Sequence, residues 1–215
     1  MDAVAARDAA TVDALGMGAL HRRDRATRDR RSQPDGNLAA TWPRYGRRML
    51  RPATADDFDA IAAITAPYVE TTAIHFAYEP PTAAELRGQW GGPDGRFPWR
   101  VAEDDGTVVG YAKAGEWRSR AAYQWTAEVG FYLAPDRRGR GVGTVLLAGL
   151  IDALIARGFR SAIGGVTLPN PASVAVMERA GFTPIGVFAA VGWKLDAWHD
   201  VGFWQRILRG DDAPV

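Results

Sequence analysis

Arg138-Gly139-Arg140-Gly141-Val142-Gly143 is the stretch around which the chain is organised. An alternating apolar pattern (Val129, Phe131, Leu133) and a Pro135-Asp136 turn precede it, reading as a strand and its exit. After it, Leu146, Leu147, Leu150, Ile151, Leu154 and Ile155 recur near a period of 3.6, the buried face of a long helix. Strand, basic glycine-rich loop and helix together point backbone N–H groups and a helix dipole at an anion. Glycine lets the main chain approach that anion closely, because no Cβ intervenes. The stretch predicts a phosphate-bearing ligand at the start of the helix.

Bulk properties bound the rest. The 215 residues suit one domain with an appendage, and 47% hydrophobic with 24% charged residues is ordinary for a globular protein. A net charge of +1 gives no reason to expect a nucleic-acid or membrane partner. There is no cysteine, which removes disulfides, thiolate metal sites and a cysteine nucleophile together. His21, His75 and His199 make no ligand spacing, so no metal is expected. No apolar run nears the roughly 18 residues of a membrane span. The segment from Ala14 to Leu20 lacks a basic leader, so the expected location is cytoplasmic.

Residues 1–48 carry ten arginines against six acids, a local charge of +4 that leaves −3 on the remainder. Without sustained period or many large apolar residues, they read as a disordered basic extension, with an arm that touches a partner as the alternative. A well-formed domain, residues 49–210, begins at Met49, which is also a candidate start codon, and residues 211–215 read as a tail. Within the domain, Leu50 to Pro52 reads as an edge strand. Thr54 caps a helix carrying Phe58, Ile61, Ile64 and Tyr68, which Pro67 kinks or ends. Thr82 to Trp90 is a second helix. Trp99 to Glu103 and Thr107 to Gly115 form a hairpin around Asp104-Asp105-Gly106. A strand from Tyr123 to Leu133, the glycine loop, its helix, and a strand from Ser161 to Val166 follow. A helix opened by Pro171 and two strands, Phe182 to Gly192 and His199 to Ile207, close the domain. The order β-α-α-β-β-β-α-β-α-β-β predicts an α+β fold with a mixed, mostly antiparallel twisted sheet of about seven strands.

Two common nucleotide loops fail. The stretch has no lysine for a Walker loop, and Leu146 stands where a third dinucleotide glycine would be. The pattern Arg/Gln-x-x-Gly-x-Gly/Ala does fit, at Arg138, Gly141 and Gly143. On it, together with the element order, Asn170 and Gly181-Phe182, residues 49 to 208 resemble the GNAT acyl-CoA-dependent N-acetyltransferases. The resemblance implies acetyl-CoA as cosubstrate. Its pyrophosphate would lie on Arg138, Gly139, Arg140, Gly141, Val142, Gly143 and Thr144, its pantetheine along Phe131, Tyr132 and Leu133 where two strands splay, and its arm near Asn170.

Four further stretches are similar to phosphinothricin N-acetyltransferases: Gly115-Glu-Trp-Arg-Ser-Arg-Ala-Ala-Tyr123, Tyr123-Gln-Trp-Thr-Ala-Glu128, Leu168-Pro-Asn-Pro-Ala-Ser-Val174 and Trp198-His-Asp-Val-Gly-Phe-Trp204. This implies a small polar or anionic amino acid as acceptor, of the phosphinothricin, methionine sulfoximine or sulfone type, and a possible homodimer. Only a free amine attacks a thioester, so the ammonium must lose a proton, and a carboxylate near the nitrogen can take it, directly or through water. Glu128 matches the subfamily's proposed base, against a bland reading as a strand carboxylate paired with an arginine. Arg118, Arg120 and Tyr123 match positions that contact the acceptor, and arginine suits forked bonds to carboxylate and phosphinate oxygens. Phe76 matches a substrate-loop aromatic or serves plain packing. One departure stands out: the subfamily carries histidine, and many members tyrosine, where this chain has Met177, which has no titratable proton. Either solvent supplies the leaving thiolate's proton, Glu128 suffices, or the activity is weaker or different. Another amine or a protein N-terminus as acceptor, and a non-catalytic acyl-CoA sensor, are the alternatives.

Overall fold

The computed structural model describes residues 50–210; the predicted extension and tail, residues 1–48 and 211–215, lie outside the described residues. Seven strands form one sheet: β1 (Leu50–Pro52), β2 (Trp99–Asp104), β3 (Thr107–Glu116), β4 (Thr126–Leu133), β5 (Ser161–Leu168), β6 (Thr183–Lys194) and β7 (Ala197–Ile207). Four helices accompany it: α1 (Phe58–Thr71), α2 (Ala83–Trp90), α3 (Val142–Ala156) and α4 (Pro171–Arg179). The sheet order is β1-β2-β3-β4-β5-β7-β6, with β4 and β5 parallel and the other neighbours antiparallel. The α+β fold and element order read from the sequence hold.

Local chemistry explains the boundaries. Thr82 caps α2 reciprocally with Glu85, its hydroxyl accepting from the Glu85 N–H at 3.2 Å while Glu85 Oε2 accepts from the Thr82 N–H at 2.8 Å. Gly91, at φ 71°, ends that helix in the left-handed conformation glycine adopts freely. Asp105 and Gly106, both at positive φ, turn the β2–β3 hairpin. Among the boundaries that differ from expectation, three lie at helix or strand starts and at a proline. Pro67 lies inside α1, which continues to Thr71. Thr54 and Asp57 shape a short 3-10 turn, Ala55–Asp57, before α1 starts at Phe58. The strand expected from Tyr123 starts at Thr126, because Ala121–Tyr123 form a 3-10 turn.

Alternation along β3 and β4 assigns the two faces. Trp99, Val101 and Tyr111 pack with Phe58, Ile61, Ile64, Tyr68, Leu86 and Trp90 of α1 and α2. On the other face, Gly110 lies beneath Leu146 of α3, and Leu50 fills the notch left by Gly149. Leu146, Leu147, Leu150, Ile151 and Leu154 are buried as their spacing predicts, whereas Ile155 turns to solvent. No helix among the described residues is long and apolar enough to cross a membrane.

Candidate active site

Among the described residues, the one parallel pair in the sheet is also an incomplete one. β4 and β5 are in register at Thr126–Ser161, Ala127–Ala162 and Glu128–Ile163, and then part. Beyond Glu128, the β4 edge that faces β5 has no strand partner among the described residues, which leaves its amides and carbonyls to bond something else. An open cleft occupies the gap. Val129, Gly130, Phe131 and Tyr132 line one wall, Gly165 to Thr167 the other, and Asn170, Ser173 and Met177 close one end. Ile74, from the loop after α1, also reaches it. Since Tyr132 points to the α1 face of the sheet and Phe131 to the α3 face, the cleft opens through the sheet.

The glycine loop lies past the far end of β4. Gly139 and Gly141 adopt φ of 73° and 84°, which a side chain would strain. Gly141 precedes α3 with no side-chain cap. The first helical bonds are those of Thr144 and Val145 to the Gly141 carbonyl, and among the described residues no protein acceptor takes the N–H groups of Val142 and Gly143. These donors, with Arg138 and Arg140 exposed alongside, make an anion-binding helix start. The Phe131 ring lies against Gly143, so strand and helix start are packed together. Val142 and Thr144 are themselves buried.

One predicted contact is occupied by the protein itself, and another is braced by it. The Leu133 carbonyl accepts a hydrogen bond from the Tyr68 hydroxyl at 2.6 Å, and Leu133 is outside the cleft lining. Arg138 stacks over the Tyr68 ring at 4.9 Å. Asn170 reaches the cleft, with its Oδ1 accepting from the Ser173 N–H at 3.1 Å as the N-cap of α4.

Glu128 stands at the apex of the splay, as the last β4 residue paired with β5. It retains solvent access, yet the protein crowded around its carboxyl pushes its pKa above the ordinary carboxylate range, against the pull of Lys113 and Arg118. The alternative reading, a strand carboxylate paired with an arginine, is not met among the described residues: no ion pair closes on Glu128. Arg118 lies within electrostatic reach of Glu128 and stacks on Trp117 at 4.8 Å. Arg120 and Tyr123 sit in and beside the exposed 3-10 turn that leads into β4, without a side-chain hydrogen bond to Glu128.

The loop after α1 covers the α1 side of the cleft and is pinned from afar. The buried Lys194 ammonium, on β6, donates to the carbonyls of Val69 and His75. The Tyr78 hydroxyl donates to the Trp193 carbonyl at 2.9 Å. Phe76 lies directly on Gly192 and is half-exposed: it packs on the β6–β7 hairpin and leaves one face outward. His199 bonds the Lys194 carbonyl at 2.9 Å and belongs to the same brace. His75 Nδ1 accepts from the Ala77 N–H, and burial, with Lys113 and Lys194 nearby, holds its pKa below the usual histidine value.

Met177 is 2% exposed. Its methyl lies over Gly164, 2.3 Å from where a Cβ would be, beside the Val129 carbonyl. The position without a titratable proton therefore lines the cleft beside β4, where the two strands part. Sequence reading passed over Lys113, which faces the same side as Glu128. A lone lysine in a strand reads as a solvated residue, and only the register reveals its neighbours.

A family model described as "Acetyltransferase (GNAT) family" matches residues 59–182. The chain is 41% identical over 157 residues to a phosphinothricin N-acetyltransferase of Streptomyces viridochromogenes, covering 73% of this chain and 86% of that one. It is 35% identical over 163 residues to an L-methionine sulfoximine/L-methionine sulfone acetyltransferase of Pseudomonas aeruginosa, covering 74% and 94%. Among solved structures, a phosphinothricin acetyltransferase from Sinorhizobium meliloti in complex with acetyl-CoA superposes with a TM-score of 0.73 at 35% identity, covering 77% of this chain and 92% of that one.

Proposed function

The chain belongs to the GNAT acetyltransferase family, and on that premise we propose that it moves acetyl from acetyl-CoA to the α-amine of a small polar or anionic amino acid of the phosphinothricin, methionine sulfoximine or methionine sulfone type. The observation that carries this reading is the place of Glu128, at the point where β4 leaves β5 and one strand-length from the glycine loop. The pyrophosphate lies on Arg138 to Thr144, with the free N–H groups of Val142 and Gly143 and the α3 dipole opposing its charge. Pantetheine runs along Phe131 and Tyr132, whose β5-facing main chain lacks a strand partner, and passes Asn170. Leu133 contributes through Tyr68 and not through its own carbonyl.

Reaction requires the acceptor's ammonium to lose a proton. Glu128 takes it, directly or through water, and a carboxyl with a raised pKa is better matched to that transfer near neutral pH. The amine nitrogen then attacks the thioester carbon, and unpaired main-chain N–H groups of β4 stabilise the developing oxyanion. The nitrogen gives its second proton to solvent in the cleft, and collapse breaks the carbon–sulfur bond, releasing the neutral amide and the CoA thiolate. Met177 has no proton to give, so solvent in the open cleft protonates the sulfur. Arg118 holds an anionic group of the acceptor, Arg120 and Tyr123 supplement it from the adjoining turn, and Phe76 flanks the acceptor's side chain.

The test is thiol release from acetyl-CoA against a panel of amino acids that includes phosphinothricin, L-methionine sulfone, a neutral amine and a peptide N-terminus. Turnover confined to the neutral amine or peptide would reject the acceptor assignment. Acetyl-CoA binding with no turnover on any acceptor would favour a sensor.

A further inference from the structure

Four positions on the α1 face of the sheet form a square beside the splay. Lys113 is opposite Gly130, and Gly115 is opposite Glu128. Paired strand residues point to the same face, so a cationic and an anionic side chain occupy one diagonal and two glycines the other. The glycine corners are open: a Cβ at Gly115 would meet nothing within 4 Å, and one at Gly130 only the Tyr132 ring edge at 3.8 Å. The square is walled by Tyr132 and Tyr111, stacked at 5.3 Å, and by the loop carrying His75.

Lys113 is poorly compensated for a half-buried ammonium. Its Nζ lies 5.2 Å from the Trp99 ring centroid and makes one long hydrogen bond, 3.3 Å, to Gln89 Oε1. No carboxylate pairs with it among the described residues, although Glu128 is close enough to counter part of the fall in pKa that burial imposes. Charge left without an ion pair in a half-buried place costs stability, and such places are where ligands complete the set.

From this square we infer that Lys113 is a specificity-determining residue that binds the acceptor's α-carboxylate, while Glu128 receives the amine from the same α-carbon. The inference deepens the reading of the acceptor given above and rests on it. An α-amino acid carries its ammonium and carboxylate on one carbon, so a carboxylate on one corner and a lysine on the opposite corner, with bare glycine main chain between them, match its charges in order once the ammonium leaves Gln89. Glycine at both remaining corners lets the α-carbon come down onto the sheet. The lysine stem is long enough to swing its head from Gln89 to an entering carboxylate while its methylenes stay on Trp99. Arg118, farther along at Trp117, is then left for the acceptor's second polar group.

The test compares L-methionine sulfone with its α-carboxamide on the wild-type chain and on Lys113→Met, which keeps the stem and removes the ammonium. A charge-assisted hydrogen bond predicts a roughly 10- to 100-fold rise in KM for the acid in the variant, with little change for the amide. The wild-type preference for acid over amide then collapses, while the KM for acetyl-CoA stays at its wild-type value. Lys113→Arg restores part of the preference. A variant that keeps the acid-to-amide ratio, or loses both acceptors equally, would overturn the inference and leave the amino-acid reading standing. A wild-type enzyme indifferent to the carboxylate would remove that reading itself.

Discussion

Replacing Gly192 with alanine puts a methyl group 2.3 Å from Cζ and 2.4 Å from Cε2 of the Phe76 ring. Ordinary carbon contacts begin near 3.4 Å, so the ring must retreat by about 1 Å. A phenyl ring is rigid, and its loop is fastened by Lys194 to the Val69 and His75 carbonyls and by Tyr78 to Trp193. The displacement therefore passes to the acceptor side of the cleft. Misplacement on this scale costs on the order of 100-fold in rate when it affects the positioning of reactants. Overpacking at a half-exposed ring costs only about 1 kcal/mol of stability, so the variant should fold. Steady-state thiol release, with each substrate varied in turn, should show acceptor kcat/KM lowered by about 10- to 100-fold and the acetyl-CoA KM near wild type. Phe76→Leu in the same background removes the collision and should recover much of the loss. Wild-type acceptor kinetics in Gly192→Ala would refute the reasoning: Phe76 would then be packing alone.

Other perturbations address the donor loop, the missing proton and pH. Gly141→Ala forces a side chain to φ 84° in front of α3; strain of about 1–3 kcal/mol should raise the acetyl-CoA KM roughly tenfold or more and spare the acceptor KM, as initial rates at varied acetyl-CoA would show. Met177→His, with imidazole at the mouth of the splay, should raise turnover if thiolate protonation limits the rate; no gain at any pH would leave that step to solvent. Because the Glu128 pKa is raised in the fold, the native state binds a proton there more tightly than the unfolded chain. That favourable contribution is complete below the unfolded pKa and is lost as pH rises through the folded one, so Glu128→Gln should raise the melting temperature at neutral pH. A lower melting temperature would mean that the carboxylate is stabilised in place.

The donor half of the site was legible because its determinants are local. Gly139 and Gly141 sit where the backbone needs positive φ, and the helix they introduce is adjacent in sequence. Helix faces followed the same logic, except that Ile155 lies past the turn where the sheet still covers α3. The proposed acceptor half is built from distant segments. The Phe76 seat on Gly192 joins residues far apart in the chain, and the square of Lys113, Gly115, Glu128 and Gly130 exists only in the β3–β4 register. Tyr123 was read into β4 because its β-prone neighbours continue the pattern, while the Arg120 carbonyl captures its N–H at 2.9 Å and makes a turn. Pro67 lies within α1, which runs on to Thr71, where the Pro67 carbonyl takes the Thr71 hydroxyl. The splay itself resembled a family feature in advance, but the residue at which it starts, Glu128, came from the pairing.

The central claim is that Glu128 removes the proton from the amine at the apex of the splay while the glycine loop holds acetyl-CoA independently. Glu128→Gln keeps the size of the side chain and abolishes the base. Measured side by side, turnover of L-methionine sulfone should fall by about 100-fold or more, the range of general-base contributions, while calorimetric acetyl-CoA affinity remains that of wild type. Undiminished turnover with intact acetyl-CoA binding would contradict the account.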